Sequence, residues 1–245
     1  MGLNGQVAVV TGAGKGVGKE TVKAFLKESV HVIAVTRNGD DLEQLTEETK
    51  EIQETNQVKL IPVAGDVSKE ETVEKVIAIV KESFTKVDML INNAGIGRYG
   101  KLDDLTIDDY DAMMNSNMRS TFLFTKAILP FMKEQKYGHI VNIASVAGKK
   151  GLPNETIYCA TKFAQVGFAQ ALDAEVREFG IKVSSLCPGG IHTNFAMGTG
   201  RTPEDPSLEN FLDASDVVDA ILFIVNQSPK SRVIEIFMRP ISEPI

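Results

Sequence analysis

Short apolar runs alternate with longer segments of helical period along most of the chain. Gln6–Val10, Val30–Val35, Val58–Val63, Val87–Ile91, Gly138–Ala144 and Ile181–Cys187 are runs of five to seven residues. Their nearly continuous apolar character predicts strands covered on both faces, with a short last strand at Val233–Phe237. Between them lie amphipathic segments. Val17–Glu28 carries Val17, Val22, Phe25 and Leu26 at helical spacing, and Lys69–Phe84 carries Val73, Val76, Ile77 and Val80. Asp40–Gln53 is more polar, with Leu42, Leu45 and Ile52 as a thin apolar side. Two long helices are expected at Thr106–Lys133 and Glu155–Phe179, the first ended or kinked near Pro130 and the second stopped by Gly180. A helix at Asp216–Asn226 follows Asn194–Asp213, a polar stretch with Gly and Pro that reads as a loop or lid. Strand–helix alternation implies an α/β class: a doubly wound, mostly parallel sheet of seven strands with helices on both faces. No linker or composition shift divides residues 1–245, so one domain is expected.

Composition narrows the function classes. The 245 residues are 43% hydrophobic and 24% charged, which is ordinary for a globular chain with a sizeable core. A net charge of −7 and the lack of any basic run argue against a nucleic-acid partner. No apolar stretch approaches the roughly 18 residues of a membrane span, and residues 1–6 lack the pattern of a secretory signal. Cys159 and Cys187 are expected as reduced, buried thiols in a cytoplasmic protein. His31, His139 and His192 lack metal-ligand spacing, so no metal is expected.

Candidate chemistry begins where the first strand meets the first helix. Thr11-Gly12-Ala13-Gly14-Lys15-Gly16-Val17-Gly18 is a glycine-rich turn. Bare backbone N–H groups and the positive end of a helix make such a turn a phosphate site. Neither the common Gly-x-Gly-x-x-Gly pattern nor the P-loop pattern is met, which leaves Thr-Gly-x-x-x-Gly-x-Gly. The second strand ends Val35-Thr36-Arg37, without the acid that a ribose 2′-hydroxyl wants. Arg37, with Lys15 inside the turn, suits a 2′-phosphate instead, so NADP(H) is expected rather than NAD. Further along, Tyr158 and Lys162 stand four apart, one turn on a helix face. A phenol of pKa about 10 beside an ammonium is brought toward neutral pH and can exchange a proton with a substrate oxygen.

Taken in order, these motifs resemble the short-chain dehydrogenase/reductase family, from Gly5 to about Thr193. Beside the glycine turn and Tyr-x-x-x-Lys stand Asp66-Val67 after the third strand and Asn92-Asn93-Ala94-Gly95 after the fourth. Asn117 falls in the first long helix, and Ser145 lies thirteen residues before Tyr158. The segment Pro188-Gly189-Gly190-Ile191-His192-Thr193 closes the series. The resemblance implies a Rossmann fold and a reductase that moves a hydride between NADP(H) and a ketone or 3-oxoacyl carbonyl. It implies that Tyr158 gives the proton, Ser145 holds the carbonyl and Lys162 lowers the Tyr158 pKa and binds the nicotinamide ribose. Asn117 would help to hold a water linking Lys162 to solvent. Gly12, Gly14, Lys15, Gly16, Val17, Gly18, Thr36, Arg37, Asp66, Val67, Asn93, Ala94, Gly95, Pro188, Gly189, Ile191 and Thr193 would line the cofactor.

The substrate is less constrained. The ending Arg232-Val233-Ile234-Glu235-Ile236-Phe237-Met238-Arg239-Pro240 looks more like that of 3-hydroxy acid dehydrogenases and broad carbonyl reductases than of carrier-protein reductases. Near the end of the second long helix Arg177 and Lys182 stand among Glu175, Glu178 and Phe179, a poor basic patch for an acyl carrier protein. In the lid, Phe195, Met197, Leu208, Phe211 and Leu212 suit a small to medium carbonyl compound, and Arg201 is a candidate anchor for a carboxylate. Cys159 is expected to pack rather than to react, since its neighbour position on a helix points about 100° away from Tyr158. Thr193 is preferred to His192 as a contact beside the nicotinamide. A dimer or tetramer is expected through the two long helices, with Phe122, Phe168 and Leu172 as candidate interface residues. A nucleotide-binding sensor on the same fold, without chemistry, is the non-enzyme alternative.

Overall fold

The computed structural model describes residues 2–243. Seven strands form one all-parallel sheet: β1 (Val7–Thr11), β2 (His31–Thr36), β3 (Leu60–Ala64), β4 (Met89–Asn92), β5 (Gly138–Ile143), β6 (Ile181–Pro188) and β7 (Glu235–Met238). Their order across the sheet is β3-β2-β1-β4-β5-β6-β7. The order reverses between β1 and β4, so a crevice opens at the carboxyl ends of these two strands, where open α/β sheets bind ligands.

Side chains alternate across the strands and so feed two cores. Ala8 and Val10 of β1 with Val32 and Ala34 of β2 face α1 (Gly16–Lys27), α2 (Gly39–Glu48) and α8 (Ala214–Val225), meeting Phe25, Leu45 and Ile221. Val9, Ile33 and Val35 face the opposite way, toward α4 (Glu70–Ser83), α6 (Ser120–Gln135) and α7 (Thr156–Val176). There Val76, Phe124, Ile128 and Val176 are buried. Each such aliphatic or aromatic side chain contributes roughly 1.5–3 kcal/mol on burial.

Several boundaries differ from the sequence pattern for local reasons. The segment expected as one helix at 40–53 is two, α2 and α3 (Lys50–Asn56). Thr49, wholly buried, separates them, its hydroxyl donating to the Leu45 carbonyl at 2.8 Å. Such back-bonding competes with the helical ladder and bends it. The first long helix starts at α5 (Ile107–Met113), capped by Thr106 with Asp109 in a reciprocal pair. It then widens into a π-helical turn at Met114–Arg119 before α6. Pro130 does not end it: α6 runs to Gln135, with Lys136 left-handed at φ 52°. Pro130 lies on the exposed side of α6. The second long helix ends in a 3₁₀ turn at Arg177–Phe179 before Gly180, at φ 71°. The last strand lies at Glu235–Met238 rather than at 233–237. Leu172 is 7% exposed and packs in the core under the sheet, and Phe168 is half-buried against the same cluster. Phe122 and Phe163 remain exposed on α6 and α7. Lys182 is no surface cation, since it is buried and donates to the carbonyls of Gln227 and Ser228.

Candidate active site

A cavity of about 480 Å³ opens at the carboxyl ends of the central strands. One end is the glycine turn. Gly12 has φ 66°, and a Cβ there would come 2.8 Å from the Ala94 Cα. A Cβ on Gly18 would overlap the carbonyl oxygen of Gly12, so only glycine lets helix and turn close together. Asn93 pins the turn to the end of β4: its Nδ2 donates to the carbonyls of Thr11 and Gly12 at 3.0 and 3.1 Å. The Thr11 hydroxyl accepts from the backbone N–H groups of Asn93 and Ala94, both at 3.1 Å. The α1 N-terminus has no capping side chain and no acid in its first turn. Uncapped amides and an open helix dipole there suit a pyrophosphate. This cradle fits a dinucleotide, and Gly12, Lys15, Gly16, Val17, Asn93, Ala94 and Gly95 line the cavity beside it.

Gly14, Gly18, Thr36, Arg37, Asp66 and Val67 are not among the residues lining the cavity. Gly14 backs onto Thr36 and Asp41, and Lys15 Nζ stands 3.5 Å from Asp41 Oδ1. Arg37 is exposed at the end of β2. Asp66 accepts from the Ser68 N–H and hydroxyl at 2.9 and 2.8 Å, and the positive field of Arg37 reaches it. Val67 is buried. These residues surround the far end of the crevice, where β2 and β3 stop.

At the other end the structure brings Ser145, Tyr158 and Lys162 together around the same cavity. Ser145 follows β5, its hydroxyl accepting from the Ala147 N–H at 3.1 Å and standing beside the Tyr158 phenol, whose pKa it acts to lower. The Tyr158 ring is 6% exposed, edge-on to Tyr99 at 5.5 Å and 5.8 Å from Phe195. Lys162 is 3% exposed and donates to the Ile143 carbonyl and to Gln165 Oε1, both at 2.9 Å. Its Nζ lies 5.6 Å from the Tyr158 ring centroid.

Burial dominates the electrostatics. It pushes Lys162 down to about 7, with the Cys187 thiol a small opposing influence. It pushes Tyr158 above the ordinary phenol range, against the influence of Ser145; Glu155 and Cys159 add to the rise and Arg201 opposes it. The direction is opposite to the lowered phenol pKa expected from the Tyr–Lys spacing, because desolvation is the largest influence on Tyr158.

Asn117 sits in the π turn, wholly buried and outside the cavity lining. Its side chain is held at both ends: Oδ1 accepts from the Ile96 N–H at 2.8 Å, and Nδ2 donates to the Ile96 carbonyl and Thr161 hydroxyl. Its main-chain carbonyl accepts from Gln165 Nε2 and the Thr121 hydroxyl at 2.9 and 2.8 Å. Both lone pairs of this carbonyl are then occupied by protein donors.

The segment after β6 closes the cavity. Pro188, Gly189, Gly190, Ile191 and Thr193 line it, and the Thr193 methyl lies against Gly16. His192 is exposed and borders a separate depression. Residues 194–213 fold over the mouth and are pinned there by Tyr99 N–H donating to the Thr199 carbonyl and the Thr199 hydroxyl to Gly97, both at 2.8 Å. Phe195 and Arg201 reach the cavity, whereas Met197 and Leu208 border the second depression. Phe211 stacks under Arg201 at 5.1 Å. Tyr99, Leu152, Glu155, Arg239 and Glu243 also line the cavity and carry no sequence signal. Glu243 accepts from the Gly190 N–H at 2.8 Å and pairs with Arg239 at 3.2 Å.

Comparison with known proteins agrees with this geometry. The family model described as short chain dehydrogenase matches residues 6–204. The chain belongs to the short-chain dehydrogenase/reductase family. Like the other members, this short-chain dehydrogenase is an oxidoreductase that uses a nicotinamide dinucleotide. An uncharacterized oxidoreductase of Staphylococcus aureus is 34% identical over 239 residues, 98% of this chain and 99% of its own. One from Staphylococcus haemolyticus is 33% identical over the same coverage. Among solved structures, an alcohol dehydrogenase from the archaeon Thermococcus sibiricus, complexed with 5-hydroxy-NADP, superposes with a TM-score of 0.87 at 25% identity, covering 98% of each chain. A metagenomic short-chain oxidoreductase in complex with NADP gives 0.83 at 26%, covering 99% of this chain and 100% of that one.

Proposed function

We propose that this short-chain dehydrogenase is an NADPH-dependent reductase that turns a ketone or 3-oxoacyl carbonyl into a secondary alcohol. The observation that carries the reading is the single cavity shared by the glycine turn and by Ser145, Tyr158 and Lys162. Bound NADPH would supply the hydride. As a carbonyl carbon accepts it, negative charge gathers on the oxygen, and donors aimed at that oxygen stabilise the transition state. Ser145 and the Tyr158 phenol are those donors, and Tyr158 gives up its proton as the alkoxide forms. A phenol kept protonated by burial begins in the state that reduction requires. Lys162 keeps one N–H beyond its two acceptors to hold the nicotinamide ribose, and its charge favours the phenolate left behind. Asn117 braces the loop after β4 through Ile96.

Preference for the 2′-phosphate rests on Arg37 just past β2 and on Lys15 in the glycine turn, with no acid among residues 36–38. Two similar structures are described with an NADP cofactor or its hydroxylated form, which supports the same reading. Arg37→Asp is expected to move the ratio of kcat/KM for NADPH over NADH toward NADH by about tenfold or more, the worth of one charge-assisted contact. An unchanged ratio removes Arg37 from cofactor choice.

A second substrate reading has one observation behind it. Arg201 reaches the cavity, which favours a carboxylate-bearing substrate and thus a 3-hydroxy acid dehydrogenase. Nearby Glu155, whose carboxyl is pushed up by burial, and Glu243 favour a neutral carbonyl compound. NADPH oxidation followed with diketones, 3-oxo esters, 3-oxo acids and aldehydes separates these readings. Turnover of at least one carbonyl is expected, and NADPH binding without turnover of any would make the chain a sensor. Two buried free thiols fit a reducing, cytoplasmic setting. The exposed Phe122 and Phe163 on α6 and α7 support assembly into a dimer or tetramer; a monomer by light scattering rejects it.

A further inference from the structure

We propose that Gln165 is a positioning residue for Lys162, its side-chain amide joining the lysine ammonium to the main-chain carbonyl of Asn117. The proposal rests on the reading of Lys162 as part of the reductase site. Gln165 lies one turn beyond Lys162 on α7 and is wholly buried. Its Oε1 accepts from Lys162 Nζ at 2.9 Å. Its Nε2 donates to the Asn117 carbonyl and to the Thr121 hydroxyl, both at 2.9 Å. The amide therefore cannot flip without turning a donor toward an ammonium and an acceptor toward a carbonyl. The α6 arm and the π turn fix its orientation, and that orientation aims an acceptor at Nζ.

A lysine carries four flexible methylenes, and a buried ammonium without acceptors is costly. Gln165 and the Ile143 carbonyl hold Nζ from two sides, so the remaining N–H points to the cavity. Burial already brings Lys162 down to about 7, and the Gln165 acceptor favours its charged form. The other titratable or charged groups facing the Tyr158–Lys162 pair are Glu155 just before α7, Cys159 on α7, Tyr99 after β4, Arg201 in the closing loop and Cys187 on β6. None of them donates to or accepts from Nζ.

The chemistry separates positioning from packing through two substitutions. Gln165→Met keeps volume and removes the acceptor. Gln165→Ala opens room for a water with three polar partners: Lys162 Nζ, the Asn117 carbonyl and the Thr121 hydroxyl. Gln165→Met is expected to lower kcat by about tenfold or more and to weaken NADPH binding, read by fluorescence of the nucleotide. Its rising limb for alcohol oxidation should move up by about one pH unit, as a less charged lysine favours the phenolate less. Gln165→Ala should stay within about threefold of the parent in both readouts, although it loses more packing. A packing role gives the reverse order, because volume-conserving replacements are tolerated best.

Met equal to the parent, or Ala at or below Met, overturns the proposal, as does failure of both variants to fold. If the parent turns over and the order is reversed, Gln165 alone is removed. If the parent turns over no carbonyl, the reductase reading fails and the order of NADPH binding decides on Gln165.

Discussion

Tyr158→Phe lowers turnover at least ~10²-fold, the low end for loss of a general acid, while NADPH still binds. The substitution removes one oxygen from a ring wedged between Tyr99 and Phe195, so the packing that positions α7 survives. What goes is the donor that Ser145 contacts and that a nascent alkoxide requires. The loss should fall on kcat and kcat/KM together, because the interaction is made in the transition state rather than in the ground state. Steady-state rates with the best carbonyl of the panel, beside fluorescence titration with NADPH, check both halves. Near-normal turnover would falsify the assignment of Tyr158.

Lys162→Met lowers turnover by about 10²-fold, the low end for a disabled proton transfer, because the charge that favours the departing phenolate and the donor for the ribose go together, and it changes how stability depends on pH. In the unfolded chain Lys162 titrates near its ordinary value of 10.5, and in the folded chain near 7. Between these values the unfolded state holds one more proton, so stability rises with pH across that window. Below about 7 the lysine is charged in both states and the folded chain bears the burial of that charge. Methionine removes the group and with it this slope. The melting temperature of Lys162→Met relative to the parent should therefore be higher at pH 6 than at pH 9. A difference that stays flat between the two pH values would mean that Lys162 is not depressed in the folded protein. Met also leaves the Ile143 carbonyl and Gln165 Oε1 without their donor, which lowers the whole curve without altering its pH trend.

What could be read from the chain was local. Short apolar runs placed every strand to within a few residues, because most of the strands are buried on both faces and carry few polar positions to confuse the pattern. Glycine positions were legible for a similar reason: Gly12 and Gly18 sit where any side chain strikes backbone, so the constraint is written at the residue itself. The π turn was not legible, since a widened turn costs one residue of register and no residue type announces it. The break at Thr49 depends on a hydroxyl turning back to Leu45, a choice set by burial. Gln165 was missed because its partners lie 48 and 44 residues away, and nothing near it in sequence names them. Tyr99 and Glu243 entered the cavity by the same route, through long-range packing of segments without a motif. The direction of the Tyr158 shift was misread from spacing alone because spacing carries no information on desolvation.

Glu243 has a further bearing on how the protein comes into being. Its carboxylate accepts from the Gly190 N–H, and the Met238 carbonyl accepts from that of Gly189, so the floor beside Ile191 is fastened by β7 and by the turn beyond it. During synthesis the glycine turn, β1 to β5 and most of α7 leave the ribosome well before these residues are added. Synthesis at roughly 5–20 residues per second therefore delivers the glycine turn well ahead of the residues that fasten Gly189 and Gly190, and the catalytic half closes only once residues 238–243 are in place.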